Sequence, residues 1–472
     1  MTTSLSTIGS NATGLVTSQG LGSGLNIASL VSSLVSAEIQ PQQTLIQSRQ
    51  TADQATLSAL GTLKSALSSL QSVTDSIATG GALSQLTAQS SSSTVFTASA
   101  GSGAVAGSYQ VQVQTLAQAN TIKSSVFSSA SAAVGTGPYS ITAGGKTFSV
   151  TLDSSNDTLS GLASAINGAS ANSGVSATIV NATDGAYLLL SATQSGTANA
   201  VSVDASAPIG FTSVQDASDA TGTIAGLSFK SSSNIVSNVL TGVTLNLAGA
   251  SATGTTQTLT VSANTQSAAN AVQSFVTAYN TALSLIASDT AYTPGTTSGS
   301  TTTAGSAGPL QGDVGIASLM QQMESIAGSS LGPASANAFS TLSQIGISFS
   351  TTDGTMTLNS TTLNNALQQN PGAVQNLFSG TDGVGKQFDT LISSFAGTSR
   401  VIDSKTGALQ SQLDAMTNQL TALNSQSAQL TAMYNQEFNA MDSAVAAYKN
   451  TSSLLTQLYA PRATNSNTSS GG

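Results

Sequence analysis

Residues 409–459 read LQSQLDAMTNQLTALNSQSAQLTAMYNQEFNAMDSAVAAYKNTSSLLTQLY, and their reading decides the fold. Leu409, Leu413, Met416, Leu420, Leu423, Leu430, Tyr434, Met441, Val445, Tyr448, Leu455 and Tyr459 keep a three-four alternation, interrupted chiefly at Ser427 and ended by Pro461. This period belongs to a long helix with one apolar seam, the pattern of a coiled coil. Only Asp414, Glu437, Asp442 and Lys449 are charged in the run, so the flanking ion pairs that select coiled-coil partners are nearly missing. Such a helix buries too little by itself to offset the entropy of ordering, and we expect it to form on assembly.

The other end of the chain carries a matching pattern. The glycine-rich Gly20 to Gly24 reads as a hinge, Asn26 as an N-cap, and Ile27, Leu30, Val31, Leu34 and Val35 recur at helical spacing. Pro41 is expected to end or kink this first helix. A second run steps through Leu60, Leu63, Leu67, Leu70 and Ile77 and stops at Gly80-Gly81. Residues 42–78 make a rod of about 55 Å at the rise of a helix. We assign Leu25, Ile27, Leu30 and Leu34 to an N-terminal leg. Leu60, Leu67, Leu70, Leu409, Leu413, Met416, Leu420, Leu423, Leu430, Met441, Val445, Tyr448, Leu455, Leu458 and Tyr459 form the assembly seam. The competing reading is an intramolecular helical hairpin inside a domain core, which residues 42–78 fit in part.

Between the helical ends the period changes to two. Tyr109, Val111 and Val113 alternate with polar residues, as in a half-buried strand. Tyr139, Ile141, Ala143-Gly144-Gly145, Phe148, Val150 and Leu152 read as a hairpin. A helix from Leu159 to Ile166 precedes strand residues Val175, Ile179 and Tyr187 to Leu190, with Asp184-Gly185 as a turn signal. Further strands fall at Val243-Leu245-Leu247 and Leu259-Val261. Helical period returns from Ala269 to Ile286. Thr293 to Pro309 reads as a flexible Ser/Thr/Gly linker, and a helix around Ile316 to Ile326 follows. A hairpin turns at Asp353-Gly354, and two short helices run Thr362 to Gln369 and Gly372 to Phe378. The expected fold class is α+β multidomain, with long terminal coiled-coil helices, a helical body and inserted antiparallel β-rich domains.

Composition removes whole classes of function. The 472 residues include 10 Lys+Arg and 19 Asp+Glu, 6% charged in all, against about 25% in an ordinary domain. The net charge is −9, and no basic residue occurs between Lys230 and Lys386, so no patch is available to neutralise nucleic acid or anionic lipid. With no Cys and no His there is no disulfide, no Cys/His zinc site, no haem histidine and no Ser-His-Asp or Cys-His machinery. The longest apolar run, Ala186 to Leu190, falls far short of the roughly 20 residues that span a bilayer. The first basic residue is Arg49, so a cleaved secretory signal is not expected. Cores rest on aliphatic side chains, because the aromatics are 12 Phe and 8 Tyr with no Trp.

Four local patterns invite chemistry and resolve into plainer readings. Ser140 to Thr147 ends like a phosphate loop, but Ser140 stands where the first glycine must be, which leaves a hairpin turn. Gly20-Leu21-Gly22-Ser23-Gly24 lacks the preceding strand and the spacing of a dinucleotide loop. Asp153/Asp157 and Asp216/Asp219 have the residue types of a calcium site or a glycosidase pair. No aromatic sugar cleft accompanies them, and loop aspartates are usually turn formers. We expect no enzyme, no cofactor and no metal.

Gly22-Ser23-Gly24-Leu25-Asn26-Ile27, with Leu30-Val31, Ala37-Glu38 and Pro41, resembles the N-terminal signature of the bacterial flagellar filament cap (hook-associated) proteins, with Asn26 in place of the usual Asp. Leu60-Gly61 and Leu63-Lys64 resemble the family's following helix, and Gly107-Ser108-Tyr109 through Leu116-Ala117-Gln118-Ala119 its first β segment. Leu159 to Val180, with Ala165-Ile166-Asn167, is similar to an insert shared with flagellin. Ser233-Asn234 and Val239 to Leu247 form the most family-specific stretch. Phe275-Val276 with Tyr279-Asn280, Gly308-Pro309-Leu310 with Gly312-Asp313, Ile345-Gly346-Ile347, Leu377-Phe378, and Tyr434 with Phe438 to Asp442 carry the resemblance to the C-terminal helix.

The resemblance implies a structural factor at the distal tip of the flagellar filament. It implies a homo-oligomer, a pentamer, that retains exported flagellin and promotes its folding and polymerisation. Further implied partners are the hook-filament junction protein, an export chaperone and the flagellar export apparatus, with an extracellular location and no membrane span. The expected domains are a coiled-coil leg, 1–42 with 403–472, disordered in the monomer, and a helical body, 43–80 with 265–402. A β-rich plate domain comprises 81–125 with 222–264, and an outer β-rich insert 126–221. Alternatives are flagellin itself, a hook-filament junction protein, or an adhesin role of the exposed β domains.

Overall fold

The computed structural model describes residues 24, 26–298, 301–330 and 338–459. Leu25, the rest of the glycine hinge and Pro461 lie outside the described residues. The chain opens on α1 (Ile27–Ala78), a helix of 52 residues. Asn26 caps it as expected, its Oδ1 accepting from the Ser29 amide at 3.1 Å. Pro41 does not end the helix. Ile39 and Ile46, on either side of it, pack in one apolar cluster, and that tertiary support carries the helix past the lost backbone donor.

Four strands follow: β1 (Leu86–Ser90), β2 (Phe96–Ala100), β3 (Gly107–Thr115) and β4 (Thr121–Ser124). The hairpin of β5 (Gly137–Ala143) and β6 (Lys146–Leu152) turns through Gly144-Gly145, with φ of 60° and 71°. Both values lie in the region that side chains disfavour, so the phosphate-loop-like stretch is a tight primed turn. Next come α2 (Leu159–Gly168), β7 (Val175–Ala182), β8 (Gly185–Ala192), β9 (Ser202–Val203) and β10 (Phe211–Gln215). Thr158 caps α2 by accepting from the Gly161 amide. The chain returns through β11 (Ala220–Ile224), β12 (Leu227–Ser231), β13 (Ile235–Leu240), β14 (Val243–Leu247) and β15 (Gln257–Ala263).

These strands build two β cores. The inner one has a five-stranded sheet, β1-β15-β3-β11-β12, and a three-stranded sheet, β13-β14-β2, around Phe96, Val111, Val113, Phe229, Leu245 and Leu259. The outer one joins β10-β4-β8-β7 and β6-β5-β9 with α2 around Tyr139, Phe148, Leu162, Ile166, Leu188 and Leu190. All pairings are antiparallel. β4 pairs with β8 and β10, so the outer sheet begins at Thr121. Gly196 sits where the cores meet: a Cβ there would lie 2.5 Å from that of Ser232.

The remainder is mainly helical: α3 (Thr265–Thr290), α4 (Val314–Gly328), α5 (Ser360–Gln369), α6 (Pro371–Ser379), α7 (Val384–Ala396) and α8 (Val401–Tyr459). Asn359 and Asn370 cap α5 and α6, with Pro371 at a first-turn position where its missing amide costs nothing. Thr293 to Pro309, expected as a linker, instead contributes to two short ladders. Tyr292–Thr293 pairs with Ser306–Ala307, and Thr296–Ser298 with Thr301–Thr303. Its runs of threonine favour extended backbone. The hairpin at Asp353-Gly354 joins Ile347–Phe349 to Met356–Leu358.

By contact the chain divides into two units, one of Met1–Ser72, Ala278–Ile326 and Phe388–Gly472, the other of Val73–Thr277 and Ala327–Gln387. In the first, Leu60, Leu63, Leu67 and Leu70 of α1 are at most 1% exposed, and Tyr279 meets Phe388 edge-on at 5.8 Å. The second contains both β cores and a helical part in which Phe275 packs edge-on against Phe378 at 5.7 Å.

Candidate functional site

The candidate site is the pair of long helices α1 and α8. Gln43 Nε2 donates to Asn424 Oδ1 at 2.8 Å, Gln50 Nε2 to Thr417 Oγ1 at 3.3 Å, and Lys64 pairs with Asp403. From Gln43 to Gln50 α1 advances seven residues while α8 retreats seven. From Gln50 to Lys64 it advances fourteen while α8 retreats fourteen. The two helices are therefore antiparallel in one constant register.

Their seam is built from both patterns. On α1 the packing face is Ile27, Val31, Val35 and Ile39, which meets Leu423 with Leu430, Tyr434 and Phe438 beside it. Leu413 and Met416 are also buried, and Leu409, Leu420 and Val445 are half-buried. Leu30 and Leu34 lie on the outer face, 39% and 40% exposed. The four-residue step from Ile27 to Ile39 was the signal that separates the inner from the outer leucines. Leu60, Leu67 and Leu70 are fully buried.

Continued in the same register, Ile27 stands opposite Ala440. Met441 to Tyr459 therefore extend beyond the start of α1. Met441 is 43% exposed, Tyr448 77%, Leu455 52%, and Leu458 and Tyr459 about four-fifths. Met441, Tyr448 and Leu455 are spaced seven apart, so they share one face of α8. Apolar side chains at seam spacing thus stand uncovered among the described residues.

Polar groups thin the seam elsewhere. Ser32 and Ser36 of α1 face Ser427, Thr431 and Asn435 of α8 across a crevice of about 340 Å³, and the buried Asn435 Oδ1 has no hydrogen-bond partner there. Ion pairs concentrate at the opposite end of the pair. Lys64 holds the Asp403 carboxyl below its usual range, with help from the Ser399 amide. Burial pushes Asp313 up, but Lys405 and the amides of Ile316 and Gly315 outweigh it, so this carboxyl too ionises early.

Three of the four aspartates singled out for metal or sugar chemistry make local hydrogen bonds or an ion pair. Asp153 accepts from the amide and hydroxyl of Ser155, as a turn former does. Asp216 accepts from Ser213, and Asp219 accepts from Thr197 and pairs with Lys230 at 2.9 Å. Among the described residues no three His, Cys, Asp or Glu side chains gather to hold a metal ion, and no helix is long and apolar enough to cross a membrane.

Models of flagellar hook-associated protein 2 match at both ends of the chain, the N-terminal one over residues 23–120 and the C-terminal one over residues 217–450. The chain belongs to the flagellar hook-associated protein 2 family. It is 31% identical to the Escherichia coli K12 flagellar hook-associated protein 2 over 468 residues, 94% of this chain and 98% of that one. It is 30% identical to the B-type protein of Pseudomonas aeruginosa over 383 residues, 75% of this chain and 78% of that one. Among solved structures, the flagellar cap protein FliD D1-D2-D3 domains from Escherichia coli match with a TM-score of 0.59 at 30% identity, covering 75% of this chain and 99% of that one. A flagellin hook IN motif matches residues 140–194 only, within the outer β core. The family matches on either side of it therefore favour the cap over flagellin. The chain is a filament cap protein of the bacterial flagellum.

Proposed function

We propose that the chain acts as a homo-oligomer, a pentamer, whose terminal helices grip the filament end while its β cores form the plate above it. Flagellin arriving from the export channel is retained beneath the plate and polymerises there. The observation that supports this most directly is the face of α8 at Met441, Tyr448 and Leu455, which extends past α1 and so awaits a partner. The sparsely charged seam and its polar crevice make each leg a weak grip. Weak grips release and rebind as the lattice grows, and the oligomer supplies retention through avidity. On this reading the leg comprises 1–42 with 403–472, the body 43–80 with 265–402, and the plate and outer insert the residues between. Flagellin, the junction protein below it, an export chaperone and the export apparatus are the partners. The protein acts outside the cell, and it catalyses no reaction.

The test is Leu455→Asp or Leu458→Asp in the full chain. Both residues are exposed, so the fold is expected to survive with an unchanged circular dichroism spectrum while filament growth stops. Wild-type motility in either variant would refute the reading. Images of the purified protein supply a second check: closed assemblies are expected, with the subunit number read from their symmetry, whereas open filaments would contradict a cap.

A further inference from the structure

Strand β7 lies at the margin of its sheet, in the order β10-β4-β8-β7. All eight of its residues pair with β8, so alternate amides and carbonyls turn outward on the free side. Its sequence, VSATIVNA, has no charge and no proline, the devices that usually discourage another strand from adding there. Yet the outward groups of two of its residues are occupied. Asn167 at the end of α2 donates its Nδ2 to the Ala177 carbonyl at 2.8 Å and accepts from the Ala177 amide at 2.9 Å. Asn172 repeats the pattern on Val175, donating at 2.7 Å and accepting at 2.9 Å. A primary amide carries one donor and one acceptor side by side, as a strand's backbone does. Each asparagine therefore stands where a residue of a neighbouring strand would stand.

We propose that Asn167 and Asn172 occupy in cis a strand-addition site on β7 that would otherwise accept the same strand of a second copy of this chain. The positions are held from behind. Ile166, beside Asn167, is fully buried in the outer core, and Asn172 also donates to the Ile166 carbonyl at 3.0 Å. Period two places the outward groups of Ile179 and Asn181 on the same free side. With two of four outward residues blocked, an incoming strand finds too short a ladder to hold. This role belongs to the motif residues that the cap mechanism leaves unused, and it does not depend on that mechanism.

The experiment compares the full chain with an Asn167→Ala/Asn172→Ala variant by hydrogen exchange over residues 174–182 and by thioflavin binding. The expected result is thioflavin-positive assemblies, with at least tenfold faster exchange at the Ala177 and Val175 amides in the fraction that stays unassembled. Adding Val180→Lys, at an exposed β7 position, is expected to suppress the assemblies and leave the exchange fast. Unchanged exchange, or assemblies that persist with Val180→Lys, overturns the proposal. If the double variant does not fold, Asn167→Asp decides. It keeps the acceptor for the Ala177 amide, so a folded, unassembled chain with slow exchange at that amide and a weakened Ala177 carbonyl contact supports the proposal. Assembly of the aspartate variant overturns it.

Discussion

Asp219 shows how a residue that looks like a ligand becomes a clasp. Hydrogen bonds from Lys230 and from the hydroxyl and amide of Thr197 bring its pKa down to about 2 from the usual 3.8. A depressed carboxyl stabilises the fold above its unfolded value and loses that contribution as pH falls through the folded one. The clasp should therefore weaken between about pH 4 and about pH 2. In urea titrations across that range, the difference between wild type and Asp219→Asn is expected to shrink toward zero at the acid end; a constant difference would refute it. Tyr139 gives the opposite window. Burial raises its hydroxyl to about 12, and the neutral group donates to the Val134 carbonyl at 2.8 Å. Its contribution is complete below pH 10, where the unfolded chain begins to ionise, and is lost as pH rises toward 12. Tyr139→Phe is expected to be less stable than wild type at pH 8 and to approach it at alkaline pH.

Helix period and strand period were legible because each element has one wet and one dry face. The alternation at Tyr109 to Val113, the hairpin at Gly144-Gly145 and the cap at Asn26 all stand where the residues placed them. α7 escaped the reading, although Val384, Phe388, Leu391 and Ile392 are buried at helical spacing, because glycines on both flanks blur its ends. Pro41 misled for a related reason: a local rule about backbone donors yields to packing contributed by a helix nearly four hundred residues away. The exposed and buried leucines of α1 likewise become distinct only once the register of α8 is known. Within α1, Leu67→Ala is expected to cost about 2–5 kcal/mol, because the fully buried side chain leaves a cavity. Leu34→Ala, on the outer face, is expected to cost well under 1 kcal/mol in the isolated chain. Denaturant titration of the two variants side by side checks the assignment of faces.

At the scale of the molecule, an almost uncharged chain of −9 net charge folds through aliphatic cores and side-chain amides and hydroxyls in place of ion pairs. Ion pairs at Lys64, Lys230 and Lys405 serve the described residues. Stability is accordingly expected to change little between low and high salt, whereas removing Lys64 or Lys405 should be felt locally where α8 begins. Limited proteolysis of the isolated chain is expected to cut first within 441–459, where α8 runs on without α1, and to spare the β cores. Protection of that segment on assembly would show that the legs have docked, and its protection in the monomer would contradict the proposed role. The antiparallel register has a practical corollary for anyone labelling this protein. A probe coupled at Ile27 stands beside Ala440, whereas one coupled at Tyr459 sits nineteen residues, about 28 Å at the rise of a helix, farther along α8, so the two labels sample different surroundings.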